Sequence, residues 1–173
     1  MPKLAEALAE RKSLQDRLVR LQARLTANAK VQEGDQPAEA PADLLNEVER
    51  TLAAIKRLTI AINRTNSQTF MAYPTEAVQE SGSTGANQTI MEAIAERDRL
   101  QSHKRTLDTL SDAVRLDTRG YGVTRNEIKW RSTVDVAVLQ EQIDRVAQTY
   151  RALDTQIQAA NWSTELIEIE LGT

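Results

Sequence analysis

The sequence has 173 residues, is 40% hydrophobic but only 3% aromatic, lacks cysteine and carries a formal net charge of −3. That length suits one domain whose core is built mostly of Leu, Ile, Val and Ala. Without cysteine there is no disulfide framework or thiolate chemistry, and without a basic surplus nucleic acid is a poor partner. The first residues, Met1-Pro2-Lys3-Leu4-Ala5-Glu6, are not an apolar leader, and no run approaches the ~18 apolar residues of a membrane span. A cytoplasmic protein with no membrane partner is therefore expected.

The spacing predicts a first helix from about Pro2 to Asn28, with Leu4, Leu8, Leu14, Leu18, Leu21 and Leu25 along one stripe. Pro2 suits the first helical position, where its missing N–H costs nothing. A polar connection over 31–40, with Gly34 and Pro37, leads to a second helix whose first turn holds Pro41 and Asp43. Its stripe is Leu44, Leu45, Val48, Leu52, Ile55, Leu58 and Ile62, ending near Asn66. Residues 67–88, with Pro74, Gly82 and Gly85, form the longest irregular segment and should be mobile. Thr69 to Tyr73 within it has the character of a short strand.

Thr89-Ile90-Met91-Glu92 has capping-box spacing and opens a third helix on Ile90, Ile94, Leu100, Leu107, Leu110 and Val114. Gly120 and Gly122 punctuate a second connection, in which Ile128, Trp130, Ser132 and Val134 alternate with Lys129, Arg131 and Thr133 in a strand pattern. Thr133 is the expected N-cap of a fourth helix reaching about Asn161 on Val136, Leu139, Ile143, Val146, Tyr150, Leu153 and Ile157. The tail, Glu165 to Leu171, alternates again. The expected fold class is all-α: an antiparallel four-helix bundle in a single domain over 1–173. Its parts are a first hairpin over 1–66, the loop 67–88, a second hairpin over 89–163 and a tail strand over 164–173.

The two hairpins repeat. Glu6-Ala7-Leu8-Ala9-Glu10-Arg11-Lys12-Ser13-Leu14-Gln15 returns as Glu92-Ala93-Ile94-Ala95-Glu96-Arg97-Asp98-Arg99-Leu100-Gln101, with seven of ten positions identical. In a heptad with Leu4 as a, Ala7 is d, Arg11 is a, Leu14 is d, Leu18 is a and Leu21 is d, a coiled-coil-like seam. Ile90 and Arg97 fall on the same positions of the second copy. The antiparallel order brings Glu10, Arg11 and Asn66 to one bundle end, and Glu96, Arg97 and Asn161 to the same end.

Three readings of that end are open. Glu10 and Glu96 can neutralise Arg11 and Arg97 or their helix N-termini, and Glu92 can close its capping box, a structural role. Arg11 and Arg97 can hold a small anionic ligand with two guanidinium forks, beside Glu10, Glu96, Asn66 and Asn161. A two-metal carboxylate site built from Glu6, Glu10, Glu92 and Glu96 is the weakest reading, because Glu-x-x-His is absent. The single histidine, His103, lies on a polar part of the third helix and reads as solvated. No Ser/His/Asp set has credible spacing, and Gly82 and Gly85 lack the Lys-Ser/Thr of a P-loop. No catalytic residue, metal or cofactor is expected, and the chain reads as no enzyme.

The strand-like segments point to a homo-oligomer. Lys129 and Arg131 share one face of the first, and Glu168 and Glu170 share one face of the tail. The expected oligomer contacts are Lys129, Trp130, Arg131, Ile167, Glu168, Ile169 and Glu170, because an unpaired alternating tail is an open edge. The competing arrangement is local pairing of the tail with residues 69–73.

Several runs carry a family resemblance: Leu4-Ala5-Glu6-Ala7-Leu8 with Glu10-Arg11, Asn28-Ala29-Lys30-Val31-Gln32-Glu33-Gly34, Ile62-Asn63-Arg64-Thr65-Asn66, Thr133-Val134-Asp135-Val136 and Ala160-Asn161-Trp162-Ser163-Thr164. Together they resemble a family of small, uncharacterised bacterial helical proteins, some labelled septicolysin. The resemblance covers nearly the whole chain, with the 67–88 segment its least transferable part, and it supplies no catalytic residues. The label implies a cytolysin. A pore-former must present lipid-length amphipathic elements; here the strand-like segments are short and charged, and the bundle would consume each helix's apolar stripe. The expected function is thus that of a structural or interaction protein that self-associates, with an anion-binding module as the alternative.

Overall fold

The computed structural model describes residues 1–72, 87–118 and 132–167. Among them are four long helices, α1 (Leu4–Ala27), α2 (Pro41–Gln68), α3 (Ile90–Thr118) and α4 (Val136–Ser163), with two three-residue strands, β1 (Phe70–Ala72) and β2 (Asn87–Thr89). The fold class is all-α, of the helical-bundle kind. The chain divides into two compact units, Met1–Thr69 with Gln158–Thr173, and Phe70–Ile157.

In the first unit α1 starts two residues later than the proline suggested. Lys3 holds an extended backbone as N-cap, and its N–H donates to Glu6 Oε2 at 2.7 Å. Pro2 lies outside the helix because its carbonyl is used elsewhere, accepting from Leu166 N at 2.9 Å, while Leu4 N donates to Thr164 O at 3.0 Å. These bonds make an antiparallel bridge between Lys3 and Glu165. Glu165 and Leu166 of the alternating tail thus lie along the N-terminus of their own chain. Lys3 Nζ also reaches Ser163 O at 3.2 Å, placing a cation on the free carbonyls that end α4.

α1 and α2 form an antiparallel hairpin, crossed by the ion pair Arg17–Glu47, while Arg24 pairs with Glu39 of the connection. Asn28 orders the connection: its Oδ1 accepts from Glu39 N at 3.0 Å and its Nδ2 donates to Arg24 O at 2.9 Å. Asp35 N donates to Gln32 O at 3.0 Å, closing a turn in which Gly34 has φ +95°, a conformation glycine adopts without strain. Pro41 takes the first position of α2, which extends to Gln68, two residues beyond expectation. The buried residues of this unit are Leu4, Ala7, Leu21, Leu44, Thr51, Ala61, Ile62, Thr65, Asn161 and Leu166. The buried threonines satisfy themselves within α2: the hydroxyls of Thr51 and Thr65 donate to Glu47 O and Ala61 O, each at 2.8 Å. Thr65 Oγ1 also accepts from Ile167 N at 2.9 Å, which fixes the tail on α2.

The expected α2 stripe is only partly core. Leu44 and Ile62 are buried, whereas Leu45 and Leu52 are 51% and 42% exposed. The buried residues Leu44, Thr51 and Thr65 fall on one side of α2, and Leu45 sits about 100° further round the helix from Leu44.

In the second unit β1 and β2 pair antiparallel in the register Phe70↔Thr89, Met71↔Gln88, Ala72↔Asn87, burying Met71. The short strand expected near 69–73 is present, and its partner is the stretch before α3. The remainder of the expected mobile loop, 73–86, lies outside the described residues. The capping box of α3 is complete: Thr89 N donates to Glu92 Oε2 at 2.8 Å and Glu92 N to Thr89 Oγ1 at 3.2 Å. α3 buries Ile90, Ala93, Leu100 and Leu107, and α4 buries Leu139, Ile143, Val146, Ala147, Thr149, Leu153 and Ile157.

α4 is capped by Asp135, not by Thr133. Asp135 Oδ1 accepts from Ala137 N at 2.9 Å and Val138 N at 3.2 Å, because it stands immediately before the first helical residue. Ser132 instead closes a small turn, accepting from Val134 N at 3.1 Å and donating to Val134 O at 2.6 Å. The strand pattern thus ends in a turn at 132–134, and its residues 128–131 lie outside the described residues.

The two repeated runs share several buried positions. Leu4 and Ile90, Ala7 and Ala93, and Leu21 and Leu107 are buried at matching positions, as are Leu44 and Leu139, and Ile62 and Ile157. α2 and α4 each span 28 residues. The Lys3–Glu165 bridge occupies the place in one copy that the Thr89–Phe70 pair occupies in the other.

Candidate functional site

Of the six candidate ligand residues, Arg11, Glu10, Asn66 and Asn161 belong to the first unit, and Arg97 and Glu96 to the second. Arg11 is half-buried and makes no ion pair or hydrogen bond among the described residues; exposed Glu10 does not neutralise it. Asn161 is buried, and the Oδ1 of half-buried Asn66 is closed to solvent without a donor among the described residues. Arg97 is engaged: its Nε and Nη2 reach Asp98 Oδ1 at 3.2 and 2.9 Å, and its Nη1 lies 3.6 Å from Asp154 Oδ1 on α4.

Glu96 does not pair with Arg97. It takes both Nε and Nη2 of Arg99, at 2.7 Å each. The two copies diverge here because the residues after the shared Glu-Arg differ. Asp98-Arg99 supplies Arg97 and Glu96 with partners, whereas Lys12-Ser13 supplies none, and Lys12 turns to Asp16 at 2.6 Å.

The other repeated glutamates are structural. Glu6 and Glu92 accept the N-cap N–H of α1 and α3 respectively. The Thr89 N–H and then the Thr89 hydroxyl hold the Glu92 carboxyl below the usual glutamate range. Among the described residues no group of three His, Cys, Asp or Glu side chains is placed to hold a metal ion.

Two surface clefts went unanticipated. In the first unit a groove of about 570 Å³ runs beside α1 and α2, bordered by Leu14, Arg17, Asp43, Asn46, Glu47 and Arg50. Its charges balance, and the hydrogen bond from Arg17 lowers the Glu47 pKa. In the second unit a shallow cleft of about 230 Å³ lies between Arg99 and His103 of α3 and Gln142, Arg145 and Val146 of α4. His103 is solvent-exposed, as its polar setting implied.

The least satisfied feature is apolar. Leu45 and Leu52 are exposed on α2, with half-buried Val48 between them and half-buried Ile55 after them, and Val19 of α1 is also exposed. The signal was present in the sequence: seven large apolar residues on α2 form a stripe too wide for one neighbouring helix. Of the expected oligomer contacts, Ile167 spends its N–H on Thr65, while Lys129, Trp130, Arg131, Glu168, Ile169 and Glu170 lie outside the described residues.

Residues 11–166 match the model of a family described as a family of unknown function, DUF6847. The chain is also similar to a crystal structure described as a functionally unknown conserved protein from Corynebacterium diphtheriae, with 39% identity and a TM-score of 0.77. That similarity covers 96% of this chain and 99% of the other. No curated protein matches. Neither description names an activity, and neither mentions a cytolysin. Among the described residues no helix is long and apolar enough to cross a membrane.

Proposed function

The chain belongs to the family of unknown function DUF6847, and we propose that its role is non-catalytic: it acts as a structural protein that self-associates. The observation that carries this reading is the open apolar face of α2, where Leu45 and Leu52 remain 51% and 42% exposed. Leucine side chains held in water at seven-residue spacing are what an unfilled helix–helix interface leaves. Sedimentation velocity over a wide concentration range tests it. A mass above that of one chain, rising with concentration, is expected; a monomer at every concentration refutes it.

A second reading, a site for a small anion, is favoured by one observation. Arg11, a half-buried residue, has no carboxylate to neutralise it among the described residues, and an unpaired guanidinium can take an oxyanion partner. Arg97 contributes less, because Asp98 and Asp154 already hold it. Calorimetric titration with inorganic phosphate checks this reading. Heat that disappears in Arg11→Leu supports it, and equal heat in both proteins removes it.

A further inference from the structure

We propose that a second copy of this chain docks on the open face of α2, antiparallel to it, about a twofold axis between Leu52 and Ile55. This rests on the self-association proposed above and names its surface and geometry.

The apolar residues of α2 fall on two neighbouring seams. Leu44, Thr51, Ala61, Ile62 and Thr65 are buried within the chain. Leu45, Val48, Leu52 and Ile55 follow one another at spacings of three, four and three, the a/d pattern of a coiled coil. Leu45 and Leu52 lie within about 20° of each other around the helix, so they form one ridge. Continued, the pattern reaches half-buried Thr59 and then Ile62, where the seam runs into the core.

The charges beside the seam select the occupant. Glu49 and Lys56 take the e positions next to Val48 and Ile55. Both are exposed, and neither has an ion-pair partner among the described residues. In antiparallel helix pairs e residues face e residues. With Leu52 set against the partner's Ile55, Glu49 meets the partner's Lys56, and the twofold axis makes the same pair again. A parallel pair would instead set these charges against g positions, here Leu44, Thr51 and Leu58, which carry no charge. The face is therefore complementary to itself in one orientation.

The test uses the full chain and measures the dimer Kd by sedimentation velocity. Circular dichroism confirms that each variant is folded, which these exposed positions allow. Leu45→Glu/Leu52→Glu should abolish the dimer. Glu49→Lys alone and Lys56→Glu alone each place like charges opposite one another twice and should weaken the Kd about tenfold. The charge swap, Glu49→Lys with Lys56→Glu, should restore the wild-type Kd. An assembly insensitive to all four variants overturns this surface and leaves self-association standing. Loss of the dimer in the leucine variant, with no response to the single reversals or no rescue by the swap, overturns the antiparallel register. A wild-type chain that is monomeric at every concentration overturns both proposals.

Discussion

Thr65 links the tail to the hairpin through one oxygen atom, so its replacement by valine isolates that link. The residue is fully buried; its Oγ1 donates to Ala61 O at 2.8 Å and accepts from Ile167 N at 2.9 Å. Valine keeps the shape and removes both bonds. Ala61 O loses little, since a helical carbonyl retains its backbone donor. Ile167 N–H is left half-buried without an acceptor, and such an orphan costs ~1–3 kcal/mol. Valine recovers part of this by burying a methyl in place of a hydroxyl, so the net loss should be ~1–2 kcal/mol. For a chain of this length that corresponds to a drop of about 2–8 °C in the thermal midpoint. Hydrogen exchange followed by NMR gives the sharper readout. The Ile167 amide should exchange about 5–30-fold faster in Thr65→Val, while Thr65→Ser, which keeps the oxygen, leaves it near wild type. Unchanged exchange at Ile167 in the valine variant would show that the tail is held by something other than this hydroxyl.

Leu14 and Leu100 occupy equivalent repeat positions, yet Leu14 is half-buried and Leu100 fully buried. Leu100→Ala should cost ~2–5 kcal/mol and Leu14→Ala clearly less; equal losses in urea melts would contradict the burial. Asp135→Ala removes the cap from two N–H groups of α4 and should cost about 1 kcal/mol, whereas Thr133→Ala should be near neutral by the same assay. The Glu92 carboxyl is held below its ordinary pKa by Thr89, so its folded form binds the proton less readily than its unfolded form. Its stabilising contribution is therefore present above roughly pH 4.3 and is lost as pH falls through the lowered folded value. The gap in thermal midpoint between wild type and Glu92→Gln should be constant at neutral pH and shrink only below that point; a gap already closing at pH 6 would refute the assignment.

The helices and their order were legible in the sequence, because helical periodicity and capping are local. Seven-residue spacing, Pro41 at a helix start and Thr89 three residues before Glu92 each act within one or two turns. Local signals also set α4 going, but they pointed to Thr133 as its cap, whereas the backbone first turns helical two residues later and Asp135 caps it. The candidate arginine site was less legible. The repeated Glu-Ala-x-Ala-Glu-Arg marked equivalent positions, yet a guanidinium's partner depends on which carboxylates surround it. Arg97 found Asp154 from another helix, whereas Arg11 found none among the described residues. The division of α2's apolar stripe into a covered and an open seam belongs wholly to tertiary structure. Leu44 and Leu45 are chemically identical neighbours, yet one is buried and the other stands half in water. Periodicity names the residues able to leave water; the packing partner determines which of them do.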